Sequence, residues 1–263
     1  MITAEIPLST RTSAATPPRL ARKAWVEQIM GMPVSVHVRA TEPTRPDIEA
    51  GVQRAFAHLR KADAVLSTWR SDSDLLRLQH DEIDSQEVHA WVSDVTDLCL
   101  EAEDRTDGLF RAWRSREGGR LVFDPTGLVK GWAVVGAAAH LETVPEVAFS
   151  IGAGGDITVG TGRGLHDAQP VWRIGIEDPR DRRQIAEVVS LTRGGIATSG
   201  AAARGAHVVD GRGHGVARPG STTVVGPDLM WADVWATAAY VDPTRAATLL
   251  AERDPAYRLI TLT

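Results

Sequence analysis

The sequence predicts an α+β fold, mixed and largely antiparallel in its sheets with flanking helices, and three observations predict it. Val34, Val36 and Val38 alternate with Ser35, His37 and Arg39, the period-two pattern of a half-buried strand. Between residues 47 and 66 the apolar positions recur instead at helical spacing. From Val147 to Val225 short apolar runs, several punctuated by glycine, follow one another before helical spacing returns at Met230.

The elements follow in order. Residues 1 to about 23 are rich in Thr, Ser, Ala and Pro and read as a flexible tail, with 24–263 as one domain. The run Trp25–Arg39 ends in the alternating strand. Asp47 caps a helix to Leu66, built on Ile48, Val52, Ala55, Phe56, Leu59 and Val65. A polar break, Ser67–Asp74, precedes a short helical turn at Leu75, Leu76 and Leu78. A second long helix runs from about Ser85 to Arg105 and stops at Thr106-Asp107-Gly108. A third begins beyond Asp124-Pro125-Thr126-Gly127 and reaches Leu141. Val147–Ile157 is a buried strand broken at Gly154-Gly155. Strands follow at 171–176, 187–191, 194–200, 206–209 and 222–225, then helices over 230–241 and 245–252.

Composition narrows the function. The 263 residues are 43% hydrophobic and 24% charged, ordinary for a globular chain large enough to bury a core. A net charge of -5, with basic residues scattered, argues against a general nucleic-acid binder, which needs a basic face. The densest basic group, Arg180–Arg183, contains Asp181 and reads as a solvated loop. The single cysteine, Cys99, excludes an intrachain disulfide and reads as a core residue. No run approaches the roughly 18 apolar residues of a membrane span. The start lacks a secretory h-region, so a cytoplasmic protein without membrane insertion is expected.

Three segments concentrate chemistry. In "FDPTGLVKGWAVV" (Phe123–Val135) Asp124 leads into a helix start bearing Gly127, Lys130 and Gly131. Free N–H groups and the dipole at such a start seat phosphate, although Asp-Pro-Thr also opens helices that bind nothing. In "SIGAGGDITVG" (Ser150–Gly160) paired glycines precede Asp156, but the spacing of a dinucleotide fingerprint is absent and a glycine bulge remains open. In "WADVWATAAYV" (Trp231–Val241) Asp233 and Thr237 share a helix face. The pair is either an oxygen-donor set for Mg²⁺ or an ordinary capping or solvent-face pair. A fourth segment holds Thr198, Ser199, His207, Asp210 and His214, without the geometry of a His-Asp catalytic pair.

Taken in order, these segments resemble the ApbE family of FAD:protein FMN transferases. "MGMPVSV", "STWRSDSDLLRLQ", "TDGLF", "DPTGLVKGWAV", "GAGGDI", "WRIGIEDP", "IATSG", "HVVD" and "ADVWAT" follow the family's order over about residues 25–245. The resemblance implies T-fold-like halves around a central cleft. It also implies Mg²⁺-dependent transfer of FMN from FAD, the substrate, to a Ser or Thr hydroxyl of an acceptor flavoprotein, with AMP released. Asp233 and Thr237 match the family's side-chain metal ligands, and Gly127 matches the position that lends a carbonyl. Asp124 and Lys130 match FAD contacts. Met30, Trp69, Gly108, Leu109, Phe110 and Val209 match positions lining the flavin or adenine, and His207 matches the catalytic histidine beside the pyrophosphate.

The chain departs from the family pattern at Met32, at Arg111, in the alanine-rich "AAARGAH" after Gly200, and at Gly211. The last three bear on acceptor recognition and the placement of His207, and the metal positions are untouched. Two alternatives stay in view: an FAD pyrophosphatase giving FMN and AMP, and a non-catalytic FAD-binding protein.

Overall fold

A computed structural model of the chain describes residues 20–115, 121–165, 170–200, 216 and 218–263. Its centre is a seven-stranded antiparallel sheet in the order β1-β2-β5-β6-β9-β10-β11. These strands are β1 (Ala21–Ile29), β2 (Met32–Ala40), β5 (Ala148–Ala153), β6 (Asp156–Thr161), β9 (Gly194–Gly200), β10 (Ser221–Gly226) and β11 (Arg258–Leu262). Two small hairpins stand apart: β3 (Trp113–Ser115) with β4 (Leu121–Phe123), and β7 (Trp172–Asp178) with β8 (Asp181–Leu191). The helices are α1 (Pro46–Leu66), α2 (Asp74–Gln79), α3 (Trp91–Arg105), α4 (Thr126–Glu142), α5 (Leu229–Val241) and α6 (Pro243–Arg253). The expected α+β class, with largely antiparallel sheets and flanking helices, is what the chain adopts.

Strand periodicity assigns the two faces of the sheet. On β9 and β10, Ala197 and Val224 join the main core beneath α1, α4 and α5, while their neighbours Ile196 and Val225 point the other way. There the β7–β8 hairpin covers them with Ile176 and Val189. A third cluster packs α2 and α3 against the start of α4 through Leu75, Val95, Cys99, Phe110 and Leu128. Cys99 is fully buried there, and burial pushes its thiol up to about 12, so it is the core residue its sequence neighbours imply.

Several boundaries differ from the sequence reading. β1 begins at Ala21, inside the segment read as tail, and pairs with β2 through a two-residue turn. Met30 and Gly31 both take positive φ there, 54° and 70°, as a tight hairpin turn requires. Asp47 does not cap α1: Arg45 is the N-cap residue and Pro46 opens the helix, where its missing N–H costs nothing. α3 begins at Trp91 rather than near Ser85, because the preceding residues are held as a loop, with His89 N–H donating to Asp74. Gly154 and Gly155, with φ of 60° and 101°, form a two-residue hairpin turn between β5 and β6 instead of a bulge. β11 was not legible as a strand.

Candidate functional site

One end of the sheet opens into a cleft of about 1140 Å³. Five pieces of chain converge on it. The β1–β2 turn supplies Met30 to Pro33, the end of α1 and its following loop supply Leu66 to Arg70, and the start of α4 supplies Thr126, Val129 and Lys130. The β5–β6 turn and the start of β6 contribute Gly154 to Ile157, and the facing ends of β7 and β8 contribute Glu177 and Arg182. Trp69 stands 91% exposed at the cleft, an aromatic surface that the described residues leave uncovered.

The start of α4 is built locally. The Asp124 carboxylate accepts from Thr126 N–H at 3.2 Å and from Thr126 Oγ1 at 2.6 Å, bracketing the first turn. Its other oxygen faces Arg114 Nε at 3.1 Å. Asp124 therefore organises the helix start, and it is not among the residues lining the cleft. α4 then crosses α5 at close range, since a Cβ on Gly131 would lie 2.8 Å from Met230 Cα. This near-contact of backbones brings Lys130 to Asp233, with Nζ 3.6 Å from Oδ1.

Lys130 also forms an ion pair with Asp156, at the first position of β6. Asp156 and Asp233 are 1% and 3% exposed, so two buried carboxylates meet a partly buried ammonium at the cleft wall. Burial of that kind is tolerated only when the charges compensate one another and are hydrogen-bonded. Asp156 is so bonded: its Oδ1 accepts the Thr198 N–H of β9 at 3.0 Å. Beyond Asp233, Thr237 Oγ1 lies 3.3 Å from Ser199 Oγ.

Of the residues named from sequence, Met30, Trp69 and Lys130 share the cleft. Asp233 and Thr237 lie one turn apart on α5, behind the Lys130 wall. Gly127 sits in the first turn of α4, where a Cβ would be 3.0 Å from the Phe110 ring. Gly108, Leu109 and Phe110 do not line the cleft: Leu109 is buried in the main core and Phe110 in the α2–α3 cluster. His207 and Val209 lie outside the described residues. Sequence reasoning passed over Asp156 as a site residue, although the buried acid after paired glycines was its signal. It also read Arg182 only as part of a solvated loop. Arg182 does pair at the surface, with Glu177 at 2.8 Å, yet both line the cleft.

The donor chemistry near Asp233 fits Mg²⁺. Asp233, Thr237 and Ser199 offer oxygen there beside the Lys130 ammonium, and among the described residues no three His, Cys, Asp or Glu gather as a metal cage. Magnesium is ordinarily held in that fashion, by one or two carboxylates with neutral oxygens, water and ligand phosphates completing the octahedron.

A family model for the ApbE family matches residues 30–113 and 111–260. The chain belongs to the ApbE family. It is 25% identical over 317 aligned positions to a FAD:protein FMN transferase of Klebsiella pneumoniae (strain 342), covering 96% of this chain and 89% of that protein. Among solved structures it resembles the flavin transferase ApbE from Vibrio cholerae, with a TM-score of 0.71 at 19% identity. That match covers 93% of this chain and 98% of the other. The ApbE protein of Thermotoga maritima also gives 0.71, at 17% identity over 92% and 94% of the two chains. At these identities the structural likeness speaks for the ApbE fold alone.

Proposed function

We propose that this ApbE-family chain is an FAD:protein FMN transferase, moving FMN from FAD to a Ser or Thr hydroxyl of an acceptor protein with AMP as the leaving group. The observation that carries the proposal is the Lys130 ammonium, held between two buried carboxylates on the wall of a cleft of about 1140 Å³. The acting unit is the domain read from sequence as 24–263, extended back to Ala21 by β1, and we place it in the cytoplasm.

Each residue has a role in this reading. Trp69 and Met30 offer the flavin an aromatic face and an apolar edge. Lys130 lies over the pyrophosphate as a compact cation and offsets charge as the bridging bond breaks. At the start of α4 the Thr126 N–H is held by Asp124 and those of Leu128 and Val129 by the Pro125 carbonyl, so the helix adds the positive end of its dipole rather than a row of free donors. Asp233 and Thr237, with the Gly127 carbonyl, would hold Mg²⁺, which as a Lewis acid stabilises negative charge on the phosphate oxygens. The acceptor hydroxyl oxygen attacks the FMN-side phosphorus, the P–O bond to AMP breaks, and AMP departs with that bond's electrons. His207 is assigned the hydroxyl proton, on family resemblance. Little covalent work falls to the protein beyond positioning and charge neutralisation.

The test is incubation of the purified chain with FAD, Mg²⁺ and an acceptor flavoprotein, followed by mass spectrometry and nucleotide analysis. Covalent FMN on the acceptor, matched by AMP, is the expected result. FMN and AMP in solution with an unmodified acceptor would make it a pyrophosphatase, and unchanged FAD a carrier.

A further inference from the structure

Asp156 is the residue at the site whose work is not yet accounted for. It is fully buried, it lies at the tip of a hairpin rather than within a helix face, and it serves two elements at once. One oxygen accepts the Thr198 N–H on β9, 42 positions away in the chain. The other faces Lys130 on α4. The hydrogen bond to β9 is independent of the lysine, so the carboxylate is oriented whether or not the cation is engaged.

A lysine has four rotatable bonds and no intrinsic preference for one direction. Here it has two anionic neighbours, and the one on α5, Asp233, lies at 3.6 Å. Without Asp156 the ammonium would have Asp233 as its principal described counter-ion and would lean toward α5, away from the β5–β6 turn. With Asp156 it is held at the wall of the cleft that Gly154 and Gly155 also line, and at Gly155 a Cβ would meet nothing within 4 Å.

We propose that Asp156 is a positioning residue that aims the Lys130 ammonium at the phosphate-bearing part of a flavin dinucleotide lying in the cleft. This rests on the transferase reading for its ligand, and Asp156 acts through Lys130 without itself meeting phosphate, which it would repel.

Asp156→Asn separates the roles, because the amide oxygen still accepts the Thr198 N–H while the charge facing Lys130 is gone. FAD and riboflavin binding are titrated by flavin fluorescence for wild type, Asp156→Asn, Lys130→Met and the double variant, alongside thermal melts. Asp156→Asn is expected to weaken FAD binding about tenfold, the scale of a lost charge-assisted contact, with riboflavin binding unchanged because riboflavin has no phosphate. In the Lys130→Met background Asp156→Asn should add little further loss, since two residues acting through one contact are non-additive. Equal loss of FAD and riboflavin binding in step with a lowered melting point would reduce Asp156 to a structural residue. A full additional loss in the Lys130→Met background would overturn action through Lys130. If the wild-type chain binds FAD but transfers no FMN, the transferase reading fails while the binding comparison still decides the role of Asp156.

Discussion

The two halves of α4 handle buried polarity in opposite ways. In its N-terminal half Lys130 stays charged by meeting two carboxylates from other elements, Asp156 and Asp233. In the C-terminal half His140 packs beside His58 of α1, their rings 5.6 Å apart, with Trp91 5.0 Å from His58. No carboxylate answers these histidines among the described residues. The pKa of His58 is instead lowered by burial, then by His140 and Lys61, and that of His140 by burial, then by Arg54. His58 Nε2 has no hydrogen-bond partner among the described residues. One half of the helix therefore carries ion pairs, and in the other burial favours neutral imidazoles that serve packing. The α4 residues that line the cleft, Thr126, Val129 and Lys130, all lie in the half with the ion pairs.

The largest expected effect tests the charged half. Asp233→Ala removes one of the two carboxylates and the only charged donor proposed for the metal. We expect FMN transfer to fall by about 10²-fold or more, the scale of a lost Lewis acid. The check is the rate per folded molecule at saturating FAD and Mg²⁺; an unchanged rate, persisting in excess EDTA, would remove metal and carboxylate from the mechanism together.

A smaller effect is expected at Gly131, where α4 meets α5. Alanine normally gains about 1 kcal/mol over glycine within a helix. Here its Cβ would press on Met230 Cα and on the Leu229 carbonyl, backbone atoms that cannot rotate away. Gly131→Ala should therefore lose about 1–3 kcal/mol of stability in urea unfolding, the usual cost of overpacking. A gain in stability would mean that the helices can part without penalty, and the Lys130–Asp233 approach would lose its cause.

The smallest effect belongs to the neutral half. His58 and His140 have native pKa values below their ordinary 6.5, so below that pH the unfolded chain binds more protons than the native one. Their contribution is complete above about pH 6.5 and is lost as pH falls below it. The positive charges of Lys61 near His58 and Arg54 near His140 add to the cost of protonation. Urea midpoints should decline from pH 7 to pH 5, and His58→Phe should flatten that decline while leaving the midpoint at pH 7 nearly unchanged. An equally steep decline in the variant would show that carboxylates elsewhere, not this histidine pair, set the acid limit.

How much of this was legible beforehand follows from how local each signal is. The Val34–Val38 alternation, the helix to Leu66, the stop at Gly108 and the shared face of Asp233 and Thr237 all depend on period and on residues within one turn, so the linear sequence determined them. The order of weak motifs likewise determined the family. The first strand escaped because its exposed face offers little contrast, with Val26 62% exposed and lining the cleft. β11 escaped as a short C-terminal strand recognisable chiefly by its pairing with β10. Phe110 and Leu109, chosen for the flavin by their place in a motif, are packed into cores because their neighbours in space bury them. The meeting of Lys130, Asp156 and Asp233 was decided by tertiary structure alone. It requires the register that sets Ile157 opposite Ile196, and the side-chain-free crossing at Gly131 that lets α5 approach α4. Sheet register and helix crossing are settled by which surfaces bury together, and no window along the chain contains both partners.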